Sequence, residues 1–109
     1  MDPSRVPALL DEALREQRRE ETTVLLSHHP HTFPGVAGRN VALQISGHTH
    51  GGQVGFGERG WIEPFYPNAR GHYKQQDGSQ LYVSSGLGHW LPFRLNCPPE
   101  AVIIELQPA

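Results

Sequence analysis

The sequence predicts an α/β fold with one N-terminal helix, about five strands and one hairpin. Three observations carry this prediction. An apolar stripe recurs at helical spacing near the N-terminus, several short apolar runs follow it, and a turn signal separates two strand-like runs. The length of 109 residues suits one domain or part of one.

The helix is predicted over Val6–Arg19. Apolar residues recur there at steps of three and four and line one face, namely Val6, Leu9, Leu10, Ala13 and Leu14. Pro7 suits the first helical turn, because a backbone N–H has no partner at that position. The opposite face is polar, so we expect this helix to cover one side of a sheet.

Two buried strands are predicted over Thr23–Ser27 and Val41–Ser46. Both runs are more continuous than alternating, which is typical of strands that are buried on two faces. The join between them is rich in proline and glycine, so we expect a loop there or one short helical turn.

The second half of the chain begins with a long surface excursion over residues 53–72, with a short strand predicted at Gln53–Phe56. Two strand-like runs around Asp77–Gly78 predict a hairpin. The apolar run Ala101–Leu106 predicts a closing strand, because the two prolines before it favour an extended approach.

Composition narrows the classes of function. A net charge of -2 and a pI near 6.4 argue against a nucleic-acid partner, which requires a clustered basic face. No apolar run approaches the ~18 residues of a membrane span, so we expect a soluble chain, and its compartment stays open. The single cysteine, Cys97, excludes an intrachain disulfide.

The charged residues are unevenly placed. Residues 1–21 hold ten of the twenty charged side chains, and residues 22–57 hold only Arg39. Five of the seven histidines fall in that nearly uncharged stretch: His28, His29, His31, His48 and His50. The local chemistry is therefore imidazole chemistry, and neutral imidazole is a good ligand for Zn, Mn or Fe.

The candidate metal ligands are His28, His48 and His50. His28 directly follows the first predicted strand, and the G-H-x-H-G-G element with His48 and His50 directly follows the second. Ligand sites in open α/β sheets lie at the carboxyl ends of the strands, so these imidazoles converge if the two strands are neighbours. Spacing alone does not show which histidine of "HHPH" is the ligand. His72 and His89 stand alone in the sequence, and we expect them to be surface or loop residues.

Three histidines suit one zinc ion with an open position, whereas a two-metal phosphoester site normally adds a shared carboxylate. No Asp or Glu lies between Glu21 and Glu58, and we expect Glu58, Glu63 and Asp77 to be solvated. The residues alone therefore predict only part of a two-metal site.

Four motifs, "VLLSHHP", "ISGHTHGGQ", "LYVSSGLG" and "FRLNCPPEAVIIEL", together resemble the C-terminal half of a calcineurin-like metallophosphoesterase. They are most similar to the bacterial branch that includes UDP-2,3-diacylglucosamine pyrophosphatase-type enzymes. The resemblance runs from Thr22 to Leu106 and implies half of a two-sheet αββα sandwich. Residues 1–109 are then one partial domain, with a helical part at 1–21 and a motif-bearing part at 22–106.

The resemblance also implies roles for single residues. His28 and His48 match ligands of one metal ion and His50 matches a ligand of the other, while His29 and His31 inherit no role. It implies two divalent metal ions, Mn, Fe or Zn, and a phosphoester or lipid-linked pyrophosphate substrate. The compartment it implies is cytoplasmic or membrane-peripheral.

The N-terminal motifs of the family, D-x-H, G-D and G-N-H-[DE], do not occur in this chain. The resemblance therefore implies an enzyme fragment with no catalytic residue of its own and no appreciable activity in isolation. Its expected partner is a complementing N-terminal half, or a second copy bound through an exposed sheet face. Two alternatives stay open: a module that binds a single metal ion through histidines, and a degenerate remnant without a ligand.

Overall fold

The computed structural model describes residues 3–47, 71–86 and 99–108, together with the backbone of four residues between them. A 3-10 turn at Pro3–Arg5 leads into the only α-helix of these residues, α1. The elements in chain order are α1 (Val6–Ala13), β1 (Val24–Leu26), a 3-10 helix (Pro30–Val36), β2 (Leu43–Ser46), β3 (Gly55–Phe56), β4 (Arg59–Gly60), β5 (Gly71–Lys74) and β6 (Gln80–Val83).

The main sheet has four strands in the order β1-β2-β6-β5. Strands β1, β2 and β6 run parallel, and β5 runs antiparallel to β6. β3 and β4 form a separate antiparallel pair. A helix that precedes a mixed, mostly parallel sheet confirms the predicted α/β class.

The described core lies on one face of this sheet, under α1 and the 3-10 helix. Its buried apolar residues are Val6, Leu10, Leu25, Phe33, Val36, Val41, Leu81 and Val83. The two helical elements meet at Gly35, where an added Cβ would lie 3.0 Å from Leu10 Cδ1. The ion pair between Arg39 and Asp11 joins the chain after the 3-10 helix to α1.

Helix α1 ends at Ala13, so its predicted extension to Arg19 is wrong. The residues after Leu14 are almost all charged or polar and offer no apolar side chain to the sheet. Most helical stability in proteins comes from packing an apolar face, so helical propensity alone does not continue α1 there.

The burial of strand β1 on both faces, predicted from its apolar run, is also wrong. Leu25 is 9% exposed, whereas its neighbours Val24 and Leu26 are 36% and 77% exposed. Successive side chains in a strand point to opposite faces, so only one face of β1 is covered. The exposure is confined to β1, because Leu43 and Ile45, which lie beside Val24 and Leu26 in β2, are half-buried.

The hairpin predicted around Asp77–Gly78 is confirmed. The Gly78 N–H donates to the Gln75 carbonyl at 3.0 Å, and Gly78 has a φ of 92°, which favours glycine. The Asp77 carboxylate accepts hydrogen bonds from the N–H and hydroxyl of Ser79 at 2.9 and 2.6 Å. These bonds, together with one from the Gly38 N–H, hold the pKa of Asp77 below its ordinary value.

The closing strand predicted at Ala101–Leu106 is wrong, because these residues pair with no strand in the part of the chain described. Ile103 is 98% exposed and Leu106 is 63% exposed. In the predicted surface excursion, β3 coincides with the last two residues of the short strand expected at Gln53–Phe56.

Candidate metal centre at the carboxyl edge of the sheet

Three parallel strands end side by side at one edge of the sheet. The Gly47 N–H donates to the His28 carbonyl at 3.3 Å, so the chain after β1 adjoins the chain after β2. The Ser84 N–H donates to the Ser46 carbonyl at 2.9 Å, which places the end of β6 beside them. The condition that the predicted site depends on, namely that β1 and β2 are neighbours, is therefore met.

His28 lies at this edge with an exposed side chain. Its ring stacks edge-on against that of His29, with centroids 4.9 Å apart, and His29 lies equally close to His31. Burial lowers the pKa of His31, which favours its neutral form. The described residues contain no group of three or more His, Cys, Asp or Glu side chains that is arranged to hold a metal ion.

His48 and His50, the other predicted ligands, lie outside the described residues, as do His89, Cys97, Glu58 and Glu63. The backbone bond at Gly47 nevertheless fixes the residue directly before His48 against His28. Of the remaining predicted surface histidines, His72 lies exposed on β5, and its Nε2 is 2.7 Å from Gln80 Oε1.

A polar network beneath these strand ends was not predicted from the sequence. Gln44 Nε2 donates to Thr32 Oγ1 and to Ser46 Oγ, each at 2.9 Å. Thr32 Oγ1 in turn lies 2.9 Å from Ser27 Oγ, and both hydroxyls are within reach of the His29 carbonyl. The sequence holds one sign of this network, which is the single amide Gln44 within the apolar run "VALQIS". A buried polar side chain requires hydrogen-bond partners, so an amide in such a run indicates polar neighbours.

Glu100 is a second unpredicted residue at the same edge. Its carboxylate accepts hydrogen bonds from the Ser85 N–H at 3.0 Å and the Tyr82 hydroxyl at 3.1 Å. The Glu100 N–H donates to the Gly86 carbonyl at 2.8 Å, so the chain is pinned to the end of β6. Burial, and then the Glu100 carboxylate, raise the pKa of Tyr82. No sequence signal links Glu100 to residues that precede it by 14 or more positions.

Of the three predicted ligands, the described residues include His28, whose exposed side chain carries an imidazole, a donor type that suits zinc, manganese and iron. In open α/β sheets, functional side chains commonly lie in the loops at the carboxyl ends of the strands, which is where His28 lies.

Comparison with known proteins identifies the family. An uncharacterized metallophosphoesterase of Helicobacter pylori is 35% identical over 101 residues, which cover 91% of this chain and 27% of that protein. The uncharacterized metallophosphoesterase YkuE of Bacillus subtilis is 38% identical over 88 residues, 78% of this chain and 31% of its own length. The phosphodiesterase YaeI of Escherichia coli is 32% identical over 87 residues, 76% and 32% of the two chains. The chain belongs to the metallophosphoesterase family and spans about a quarter to a third of these relatives.

No family model matches the chain. No solved structure matches it either. Among the residues described, α1 and the shorter helical segments fall below the length and apolar character that a bilayer crossing requires.

Proposed function

We propose that this chain is the C-terminal part of a metal-dependent phosphoesterase that hydrolyses phosphodiester or pyrophosphate bonds at a two-metal site. The observation that carries the proposal is the hydrogen bond from the Gly47 N–H to the His28 carbonyl at 3.3 Å. It brings a histidine that follows β1 next to the chain that continues into His48 and His50.

Within this proposal, His28 and His48 bind one metal ion and His50 binds the other. Divalent ions in such sites stabilise the negative charge that develops on the phosphoryl oxygens during in-line displacement. The protein's contribution is to hold the imidazoles in place, which the neighbouring parallel ends of β1 and β2 favour. The relatives are named metallophosphoesterase and phosphodiesterase, which supports phosphoester chemistry. The substrates of UDP-2,3-diacylglucosamine pyrophosphatase-type enzymes are one candidate substrate class.

The isolated chain is expected to be inactive, because a bridging carboxylate is absent from the described edge. Glu100 is the carboxylate there, but its oxygen already binds the Ser85 N–H and the Tyr82 hydroxyl. Two adjacent cations repel each other strongly unless an anionic ligand lies between them. Within the proposal, the remaining ligands of a complete site come from the part of such a protein that this chain does not span.

The first experiment measures metal binding by the purified chain with Zn²⁺ or Mn²⁺ in a calorimeter. We expect binding that is lost in His28→Ala and retained in the matched control His72→Ala, whose exposed ring lies on β5. Tight binding of a single ion per chain that depends on His28 would favour the single-metal module instead. Thermal stability that is indifferent to metal and to chelator would favour the remnant.

The second experiment measures hydrolysis of a chromogenic phosphodiester with added metal. The isolated chain should show no turnover. A chimera in which this chain replaces the matching residues of the Helicobacter pylori relative should turn over, and should lose that activity in His28→Ala. Turnover by the isolated chain that disappears in His48→Ala would overturn the proposed incompleteness.

The proposed partner is either the remainder of a complete domain or a second copy of the chain. The exposed apolar residues Val24 and Leu26 on β1 supply the surface. Light scattering should show self-association that Leu26→Gln weakens. A monodisperse monomer across the concentration series would exclude the second copy.

A further inference from the structure

A buried amide connects the two segments that lead into the candidate ligands. Gln44 is fully buried at 0% exposure, and its Nε2 spans from Thr32, in the 3-10 helix after His28, to Ser46, two residues before His48. Thr32 and Ser46 are themselves 6% and 4% exposed. The bridge therefore runs inside the protein, directly under the edge where β1 and β2 end.

The amide lies at an otherwise apolar position of the sheet. In the strand register Gln44 lies between Leu25 and Leu81, both of which belong to the apolar core. Gln44 Nε2 donates to the Thr32 hydroxyl, which itself donates to the His29 carbonyl. Gln44 Oε1 is buried without a hydrogen-bond partner among the described residues. A buried unpaired carbonyl is costly, and this cost offsets part of the gain from the two hydrogen bonds that Nε2 makes.

We propose that Gln44 is a positioning residue for the metal centre. Its amide holds the segment after β1 in a fixed position relative to the end of β2, so that His28 and His48 reach the same ion. The proposal rests on the proposed function, because it takes these histidines as ligands. Groups that orient metal ligands from behind commonly change metal affinity by about 10-fold or more when removed.

The test uses the full 109-residue chain with Co²⁺ as the probe. Cobalt absorption reports the coordination geometry as well as the affinity. We expect Gln44→Met, which preserves volume and removes the amide, to weaken Co²⁺ binding by about 10-fold and to alter the absorption bands. Its urea unfolding midpoint, measured without metal, should stay close to that of the wild type, because the loss of two hydrogen bonds and the loss of an unpaired buried carbonyl act in opposite directions.

Two matched comparisons separate positioning from stability. Val41→Ala, in the core three residues before Gln44, should lower the unfolding midpoint and leave the affinity and spectrum of bound Co²⁺ unchanged. Thr32→Val removes the hydroxyl that receives the amide and should weaken binding as Gln44→Met does. Thr32→Ser keeps that hydroxyl and should bind Co²⁺ with the wild-type affinity.

The outcomes distinguish this inference from the proposed function. If the wild-type chain binds no Co²⁺, or if His28→Ala binds it unchanged, the proposed function fails and the inference fails with it. If His28→Ala abolishes binding while Gln44→Met keeps the wild-type affinity and spectrum, the inference alone is overturned. A lower unfolding midpoint in Gln44→Met, with the affinity unchanged, would assign the amide to the fold.

Discussion

Two consecutive leucines in β1 offer a direct test of how the sheet is covered. Leu25 is 9% exposed and packs in the core, whereas Leu26 is 77% exposed on the other face. The residue type, the strand and the surrounding backbone are the same, so the substitutions Leu25→Ala and Leu26→Ala differ mainly in burial. Their difference in the free energy of unfolding measures which face of β1 is buried.

The magnitude follows from the two exposures. Truncation of a buried leucine costs about 2–5 kcal/mol, through lost burial and the cavity left behind. β1 lies at the edge of the sheet that the described residues form, where neighbours relax more easily than in a central strand, so we expect Leu25→Ala to cost about 2–3 kcal/mol. A substitution on an exposed surface usually changes stability by no more than about 0.5 kcal/mol, which is the value expected for Leu26→Ala.

Urea unfolding followed by circular dichroism provides the measurement, at a protein concentration where light scattering reports a monomer. The order of the two costs is the expected result. If Leu26→Ala costs as much as Leu25→Ala in the monomer, the face that bears Leu26 is covered and the reasoning is refuted. If Leu26→Ala becomes costly only as concentration rises, a second copy covers that face.

Three further predictions concern the turn and the helix contact. Gly78→Ala should lower stability by roughly 1–2 kcal/mol in urea unfolding, because φ at Gly78 is 92° and no atom crowds the new methyl group. Since the folded-state pKa of Asp77 is depressed, its contribution to stability is present above about pH 4 and is lost as the pH falls through the folded-state value. The stability difference between wild type and Asp77→Asn should therefore shrink in acid unfolding curves. Gly35→Ala should lower the free energy of unfolding by about 1 kcal/mol, near the lower end of the range for overpacked cores, because the added methyl group meets side-chain ends on α1. If stability is not lost, α1 shifts freely to make room.

The elements that the sequence predicted well are those with strong local signals. The hairpin at Asp77–Gly78 depends on one left-handed glycine and a capping carboxylate, which are neighbours in the chain. The end of α1 and the strand at Ala101–Leu106 depend instead on what lies beside them. An apolar run becomes a strand only where another strand offers hydrogen bonds, and the described chain offers none to residues 101–106.

The candidate site divides in the same way. His28 could be placed at a strand end from the sequence, because the apolar pattern that predicts β1 is local. The general rule that sites in α/β sheets lie at the carboxyl ends of the strands then marks His28 as a candidate. Gln44 and Glu100 could not be placed, because the contact from Gln44 to Thr32 and that from Glu100 to Tyr82 join residues 12 and 18 positions apart and depend on the register of β2 and β6. These two groups act on the backbone and hydroxyls around the strand ends, so they determine how firmly that edge is held. Substitutions at Gln44 and His28 therefore test different things: His28→Ala tests whether a metal ion binds there, and Gln44→Met tests whether the fold aligns its ligands.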